Sequence, residues 1–270
     1  MIMSTDPASY VQRHVWQGGQ ISKVEDQVAT ETPVAIVFNG ISHVVMMATP
    51  SDLEDFVFGF SLTEGIVETA DQLRDLEEIS TDKGIELHAL ITAERFAGLK
   101  EKRRNLVGRT GCGICGAESL EIAVPNPKWV NSEILLSHAA LQRAIITISE
   151  VQELQKQTGA VHAAAWCNLE GDILLLREDV GRHNALDKLI GARARGKAID
   201  PGFALVTSRA SYEMVSKAAN ADMPILASVS APTSLAIELA EKCGLTLVGF
   251  SRRDRHVIYA NEQRLISELK

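Results

Sequence analysis

Residues 203–250, FALVTSRASYEMVSKAANADMPILASVSAPTSLAIELAEKCGLTLVGF, decide the fold. Three apolar runs, FALVTS, PILASV and LTLVGF, are separated by amphipathic stretches of helical period. A strand that is apolar at both odd and even positions has both faces covered, so the runs predict a largely parallel sheet between helical layers. Working outward, strands are expected at 163–167, 173–176, 203–207, 225–229, 245–250 and 257–260. Helices fall between them at about 182–194, 212–220 and 232–243. The last is entered through Ser230 or Ala231 and ends at Gly244, which accepts the left-handed conformation that stops a helix.

Upstream the pattern differs. Residues 33–38 and 41–47 read as two strands joined at Asn39-Gly40, a pair suited to a two-residue turn with both φ values positive. Thr49-Pro50-Ser51-Asp52 then predicts a helix start, with a capping side chain and Pro at the first helical position. Leu53, Phe56, Val57 and Phe60 form its apolar face, which ends near Gly65. A second hairpin turns at Asp82-Lys83-Gly84 into 85–91, and 93–105 reads as helix. Residues 1–30 lack periodicity and predict a loose or edge segment, with order from Thr32. A helical pair over 137–157 stops at Gly159. The change of character at Pro125 and Pro127 divides the chain into a smaller N-terminal α+β part, 1–128, and a C-terminal α/β domain, 129–270.

The chain has 270 residues, 46% hydrophobic and 23% charged, the usage of an ordinary globular protein rather than a disordered or disulfide-framework one. Its 27 Lys and Arg against 35 Asp and Glu leave a net charge of −8, which argues against a nucleic-acid-coating surface. No apolar run is long enough for a membrane span and the N-terminus has no signal-peptide pattern, so a cytoplasmic protein is expected. The four cysteines, Cys112, Cys115, Cys167 and Cys243, are then free thiols available for metal or sulfur chemistry.

Two of them lie in GRTGCGICG, residues 108–116, where four glycines in nine residues exclude a regular element. Lys100, Lys102, Arg103, Arg104 and Arg109 precede Cys112, and nearby cations favour the nucleophilic thiolate. The competing account is a solvated basic helix face beside an indifferent loop. A structural zinc site would need two further ligands, and Cys167, Cys243 and His162 sit singly in expected strands or helices. A thioredoxin-type dithiol would place its first Cys at a helix N-terminus, whereas glycines flank both thiols here. Persulfide carriage needs a nucleophilic thiol on an arm, which a glycine loop supplies.

Three polar segments follow expected strands. These are EDVGRHN (178–184), SRASYE (208–213) and GFSRRDR (249–255). The first two open helices and could address an anion, although a capping turn would look the same. The third offers guanidinium groups for phosphate and Phe250 for stacking on a base. His43, His138 and His162 read as core or capping residues.

Taken together, VFNGISHVVMMATPSDLEDFVFGFSLTEGI, GRTGCGICG, HAAAW, EDVGRHNALDKLIG, SRASYEMV and LTLVGF, in this order, resemble the FdhD family of formate dehydrogenase accessory sulfurtransferases from about residue 31 to the end. The resemblance implies a homodimer with a C-terminal domain of cytidine deaminase-like fold. Its implied activity is to take sulfur from a cysteine desulfurase and pass it to the molybdenum cofactor, as bis(molybdopterin guanine dinucleotide), before insertion into formate dehydrogenase. Cys112 corresponds to the persulfide-bearing cysteine and Cys115 to its motif partner. Phe250, Ser251, Arg252, Arg253, Asp254 and Arg255 fall on the cofactor-binding stretch, where Arg253 stands at an expected glycine. No metal is implied, since His162-Ala163-Ala164 lacks the glutamate of the deaminase H-x-E pattern. A cofactor-binding chaperone with incidental thiols and a deaminase-like hydrolase are the competing classes. The sequence does not decide the role of Cys115, or whether Arg109, Asp179, Arg182, His183 or Arg209 touch cofactor.

Overall fold

A computed structural model describes residues 5–108, 127–196 and 200–267, without the side chains of 102–108. Order begins earlier than Thr32, in a hairpin of β1 (Ala8–Gln17) and β2 (Gln20–Ala29). Gly18 and Gly19 form its turn with φ of 58° and 86°. The segment is a hairpin rather than a loose stretch, but it has the little core content expected of it, since it buries neither face well. Its strands therefore lack the apolar alternation by which strands are recognised.

β3 (Thr32–Phe38), β4 (Ile41–Ala48), β5 (Leu73–Ser80) and β6 (Ile85–Ile91) form a four-stranded sheet in the order β4-β3-β6-β5. Asn39 and Gly40 make the expected left-handed turn, with φ of 48° and 78°. On the inner face Val34, Ile36, Phe38, Leu87 and Ile91 pack against Phe56, Val57 and Phe60 of α1 (Leu53–Thr63). α2 (Ala93–Gly108) follows β6. The start of α1 corrects the sequence reading. The helix begins after Asp52, at φ 51°, whose side chain makes no capping bond. Thr49 lies outside it because a distant partner claims its polar groups: its N–H donates to Asp179 Oδ2 at 3.0 Å, and its Oγ1 accepts from Val180 N at 3.1 Å.

The second half runs β7 (Leu136–Ser137), α3 (His138–Val151), α4 (Glu153–Thr158), β8 (His162–Asn168), β9 (Ile173–Asp179), α5 (Arg182–Arg195), β10 (Gly202–Val206), α6 (Tyr212–Asn220), β11 (Ile225–Ser228), α7 (Ser234–Cys243), β12 (Thr246–Arg252), β13 (Arg255–Ala260) and β14 (Leu265–Ile266). Ser137 caps α3 by accepting from Ala140 N at 3.1 Å, and Gly159 ends α4 at φ 68°. α7 is capped by Thr233, not entered at Ser230 or Ala231, because Pro232 bridges Ala210 and Thr233 N donates to the Ala210 carbonyl at 3.0 Å. The chain stays extended until that contact is made.

The six-stranded sheet has the order β13-β12-β11-β10-β8-β9. Only β10, β11 and β12 are mutually parallel, while β8, β9 and β13 enter antiparallel to their neighbours. The sheet is thus mixed rather than largely parallel, since the short links 169–172 and 253–254 allow hairpins but no crossover. Both faces are covered, as the apolar runs require. Ala164, Trp166, Ala204, Val206, Leu226 and Leu247 face α5, α6 and α7, whereas Ala165, Cys167, Phe203, Leu205, Ile225 and Val248 face α3.

The two halves meet where α1 crosses α5. A Cβ added at Gly59 would lie 1.7 Å from the Asp187 carbonyl oxygen, and one at Gly191 1.8 Å from that of Asp55. Around this backbone contact the helices are tied by buried charge. Asp55 accepts from Arg177 Nε at 2.8 Å and pairs with Arg195 Nη1 at 2.6 Å. Lys188 Nζ, fully buried, lies 2.7 Å from Asp179 and donates to the Thr49 carbonyl at 2.9 Å. Lys217 donates to Asp187 at 3.0 Å, to Thr63 Oγ1 at 3.0 Å and to Glu64 at 2.9 Å. Burial pushes Lys188 down against the pull of Asp179. For Lys217 burial also acts downward, but Asp187 and Glu64 outweigh it and hold the ammonium above its ordinary value.

Gly191→Ala should cost about 3 kcal/mol or more, because backbone rather than a pliable side chain blocks the methyl. Lys188→Ala, which strands Asp179 without its cation, should cost about 3–5 kcal/mol. The exposed Lys156–Glu153 pair serves as control, with Lys156→Ala costing less than about 1 kcal/mol. Denaturant midpoints of the variants check both, and equal losses for Lys188→Ala and Lys156→Ala would contradict the assignment.

Candidate functional site

β9 and β10 are each antiparallel to β8, and β10, β11 and β12 are parallel, so β9 to β12 all point the same way. Their carboxyl ends share one sheet edge, the usual ligand side of an open α/β sheet. The segments leaving that edge are the three polar stretches singled out in the sequence, together with 229–233.

Hydrogen bonds join these segments into one surface. His183 Nε2 lies 2.8 Å from Glu213 Oε2 and 3.4 Å from Ser211 Oγ, connecting 178–184 to 208–213. Ala210 bridges Pro232, and Phe250 N donates to the Ser230 carbonyl at 3.0 Å, extending the chain of contacts to the arginine-rich hairpin. Ala163 N donates to Thr207 Oγ1 at 2.9 Å, adding the start of β8. The His183–Glu213 contact was not legible in the sequence. The signal that could have found it is that both residues open helices after strands of the same direction.

The candidates divide by what they already hold. Asp179 is fully buried and accepts from Thr49 N, Gly181 N and Asn184 Nδ2 while pairing with Lys188, so its carboxylate organises the fold and has no capacity for substrate. Arg182 opens α5 half-buried, with its Nε buried and without a protein partner. Arg209 is exposed. Burial holds His183 below its ordinary value while Glu213 pulls the other way. His162, half-buried at the start of β8, is lowered by burial and then by Arg182.

Residues 250–255 lie in the β12–β13 hairpin. Phe250 is half-buried, Ser251 is buried with its Oγ unpartnered, and Arg252, Arg253, Asp254 and Arg255 are exposed. The left-handed residues are Phe250 at φ 48° and Asp254 at φ 61°, not Arg253. The hairpin therefore imposes no need for glycine at 253. Three exposed guanidinium groups suit an anionic, phosphate-bearing molecule.

Cys112, Cys115 and Arg109 lie outside the described residues. Lys100 in α2 holds its ammonium 4.2 Å from the Phe96 ring. Cys167 and Cys243 are both buried. Burial first, and then Asp172, push the Cys167 thiol up to about 12, and burial raises that of Cys243. Neither is a nucleophile near neutral pH.

A histidine with a lowered pKa favours the folded state above its unfolded value, and that contribution is lost as pH falls through the folded value. The His183 ring should therefore titrate below 6.5 by NMR. Glu213→Gln should move it lower still, since Glu213 pulls it upward more than Glu64 does. A midpoint above 6.5 would contradict the burial of this ring at the edge.

Comparison with known proteins agrees with this geometry. Residues 29–266 match the FdhD/NarQ family. A Cupriavidus necator protein named sulfur carrier protein FdhD is 53% identical over 254 residues, covering 94% of this chain and 88% of that protein. One of the same name from Xanthomonas euvesicatoria is 53% identical over 257 residues, covering 94% and 90%. A crystal structure from Desulfotalea psychrophila, assigned as a candidate formate dehydrogenase accessory protein, superposes with a TM-score of 0.74 at 27% identity, covering 96% of this chain and 99% of that one. With the family matched from the end of β2 to β14 and the fold shared with that structure over 96% of this chain, the chain belongs to the FdhD/NarQ family.

Proposed function

We propose that this protein is a sulfur carrier that serves formate dehydrogenase, with Cys112 as the thiol that bears the sulfur. The observation that carries this reading is the state of the cysteines. Cys167 and Cys243 are buried with raised pKa values, which leaves the Cys112–Cys115 pair as the available sulfur chemistry in a chain 53% identical to sulfur carrier proteins.

In the first step the Cys112 thiolate attacks the terminal sulfur of a persulfide on a cysteine desulfurase. The S–S bond of the donor breaks, a new one forms at Cys112, and the donor cysteine leaves as thiolate, so the exchange is electron-neutral. The cations at Lys100, Lys102, Arg103, Arg104 and Arg109 favour both the attacking thiolate and the persulfide anion. The acceptor, and so the second substrate, is the molybdenum cofactor as bis(molybdopterin guanine dinucleotide). Arg252, Arg253 and Arg255 engage its diphosphates, and Phe250 offers a face for guanine. The reading extends to a homodimeric sulfurtransferase working in the cytoplasm. Among the described residues no helix is long and apolar enough to cross a membrane.

The test is intact mass after incubation with a cysteine desulfurase and cysteine. The wild type should gain one sulfur that reductant removes, Cys112→Ala should gain none, and Cys115→Ala should still load. An unloaded wild type beside an active desulfurase would replace this reading with a cofactor chaperone whose thiols are incidental.

A further inference from the structure

The β12–β13 hairpin is poorly fixed by its own ladder. Its register breaks between Gly249 and Arg252, Phe250 and Asp254 are left-handed, and β13 is an edge strand. The tip is instead held from outside by α3. Asp254 N donates to Gln142 Oε1 at 2.8 Å, which commits the amide oxygen. Gln142 Nε2, 2.9 Å from His256 Nδ1, is then the donor to that nitrogen, so His256 carries its proton on Nε2. That Nε2–H donates to His138 Nδ1 at 2.8 Å, with the two rings stacked 5.0 Å apart. One directed chain thus runs from the tip of the hairpin to the first residue of α3, whose start Ser137 caps. Burial first and His138 second keep His256 below its ordinary value, in the neutral form the chain requires.

We infer that Gln142, backed by His256 and His138, is a positioning residue that aims Arg252, Arg253 and Arg255 at the diphosphate of the substrate. None of the three clasp residues touches substrate. Their role is to remove conformational freedom from a bulged turn before binding, so that less of the interaction with phosphate is lost to ordering it. The inference rests on 250–255 being the substrate-binding turn proposed for the molybdenum cofactor.

Guanosine diphosphate is the probe, titrated calorimetrically into the full chain. Gln142→Ala, which deletes two hydrogen bonds at the turn, should bind roughly tenfold more weakly. Arg252→Ala is the positive control for the turn itself. The pH profile separates aiming from mere loss of structure. Protonating His256 Nδ1 removes the acceptor for Gln142, so wild-type affinity should fall as pH drops below 6.5, toward about pH 5. In Gln142→Glu the carboxylate still accepts from Asp254 N and now favours protonated His256, so its affinity relative to wild type should rise over that range. His138 faces His256 from α3, and Asp254 and Arg255 are its charged neighbours in the hairpin. These groups and the phosphates of the probe are common to both proteins, so they largely cancel in the ratio. Gln142→Ala binding as well as wild type while Arg252→Ala does not, or parallel pH profiles for wild type and Gln142→Glu, would overturn the positioning role.

A wild type that does not bind the probe would defeat the substrate reading instead. The clasp is then read by deuterium exchange over 250–257, where Gln142→Ala should exchange faster and an unchanged rate would overturn it.

Discussion

Everything in this fold hangs on the crossing of α1 over α5. Gly59 and Gly191 let the two backbones meet without side chains between them, and the helices belong to different sheets, so this one contact sets the four-stranded sheet against the six-stranded one. Close approach alone would be insufficient. Asp55, Asp179, Asp187, Lys188 and Lys217 are all buried at or beside the crossing, and each is satisfied by a partner on another element. A buried pair adds little net stability over apolar packing, but it tolerates only the arrangement that satisfies both charges. The result is a crossing with one allowed geometry.

That geometry has a functional consequence. α5 begins at the carboxyl edge of the six-stranded sheet, so fixing its body against α1 fixes Arg182 and His183 there. The buried face of the helix is spent on Asn184, Asp187 and Lys188, and the edge-facing start is left to Arg182 and His183. Asp179 shows the division of labour most clearly. It stands in the same polar stretch as Arg182, yet its four contacts make it part of the frame. The opposite edge is different in kind. A cavity of about 560 Å³ lies there, lined among others by Leu62, Val67, Ile190, Arg193 and Asn220. Arg193 is already committed to the Trp166 ring and the Ala221 carbonyl.

Much of this was legible in the sequence, and the failures are instructive. The apolar runs at 203–208, 224–229 and 245–250 were found because burial on both faces writes itself into every position of a strand. The β1–β2 hairpin leaves no such trace, because neither of its faces is well buried. The start of α1 differs from the sequence pattern because Thr49 looks like a local cap but is bonded to Asp179, 130 residues away. Strand direction at β8, β9 and β13 is not legible, since an apolar run does not record which way its neighbour points. In the candidate site, the residue types of 178–184, 208–213 and 250–255 were visible. Their convergence on one edge follows from the antiparallel insertion of β8, which no local pattern encodes. Gln142 and His256 were invisible for the same reason, being paired over 114 residues.

Receipt of the substrate at the carboxyl edge of the six-stranded sheet predicts a defined pattern of deuterium exchange in the full chain with and without saturating guanosine diphosphate. Residues 250–256 and 208–213 should be protected, with the lining of the cavity around Arg193 and Asn220 unchanged. Protection at that cavity with none at the carboxyl edge would contradict it.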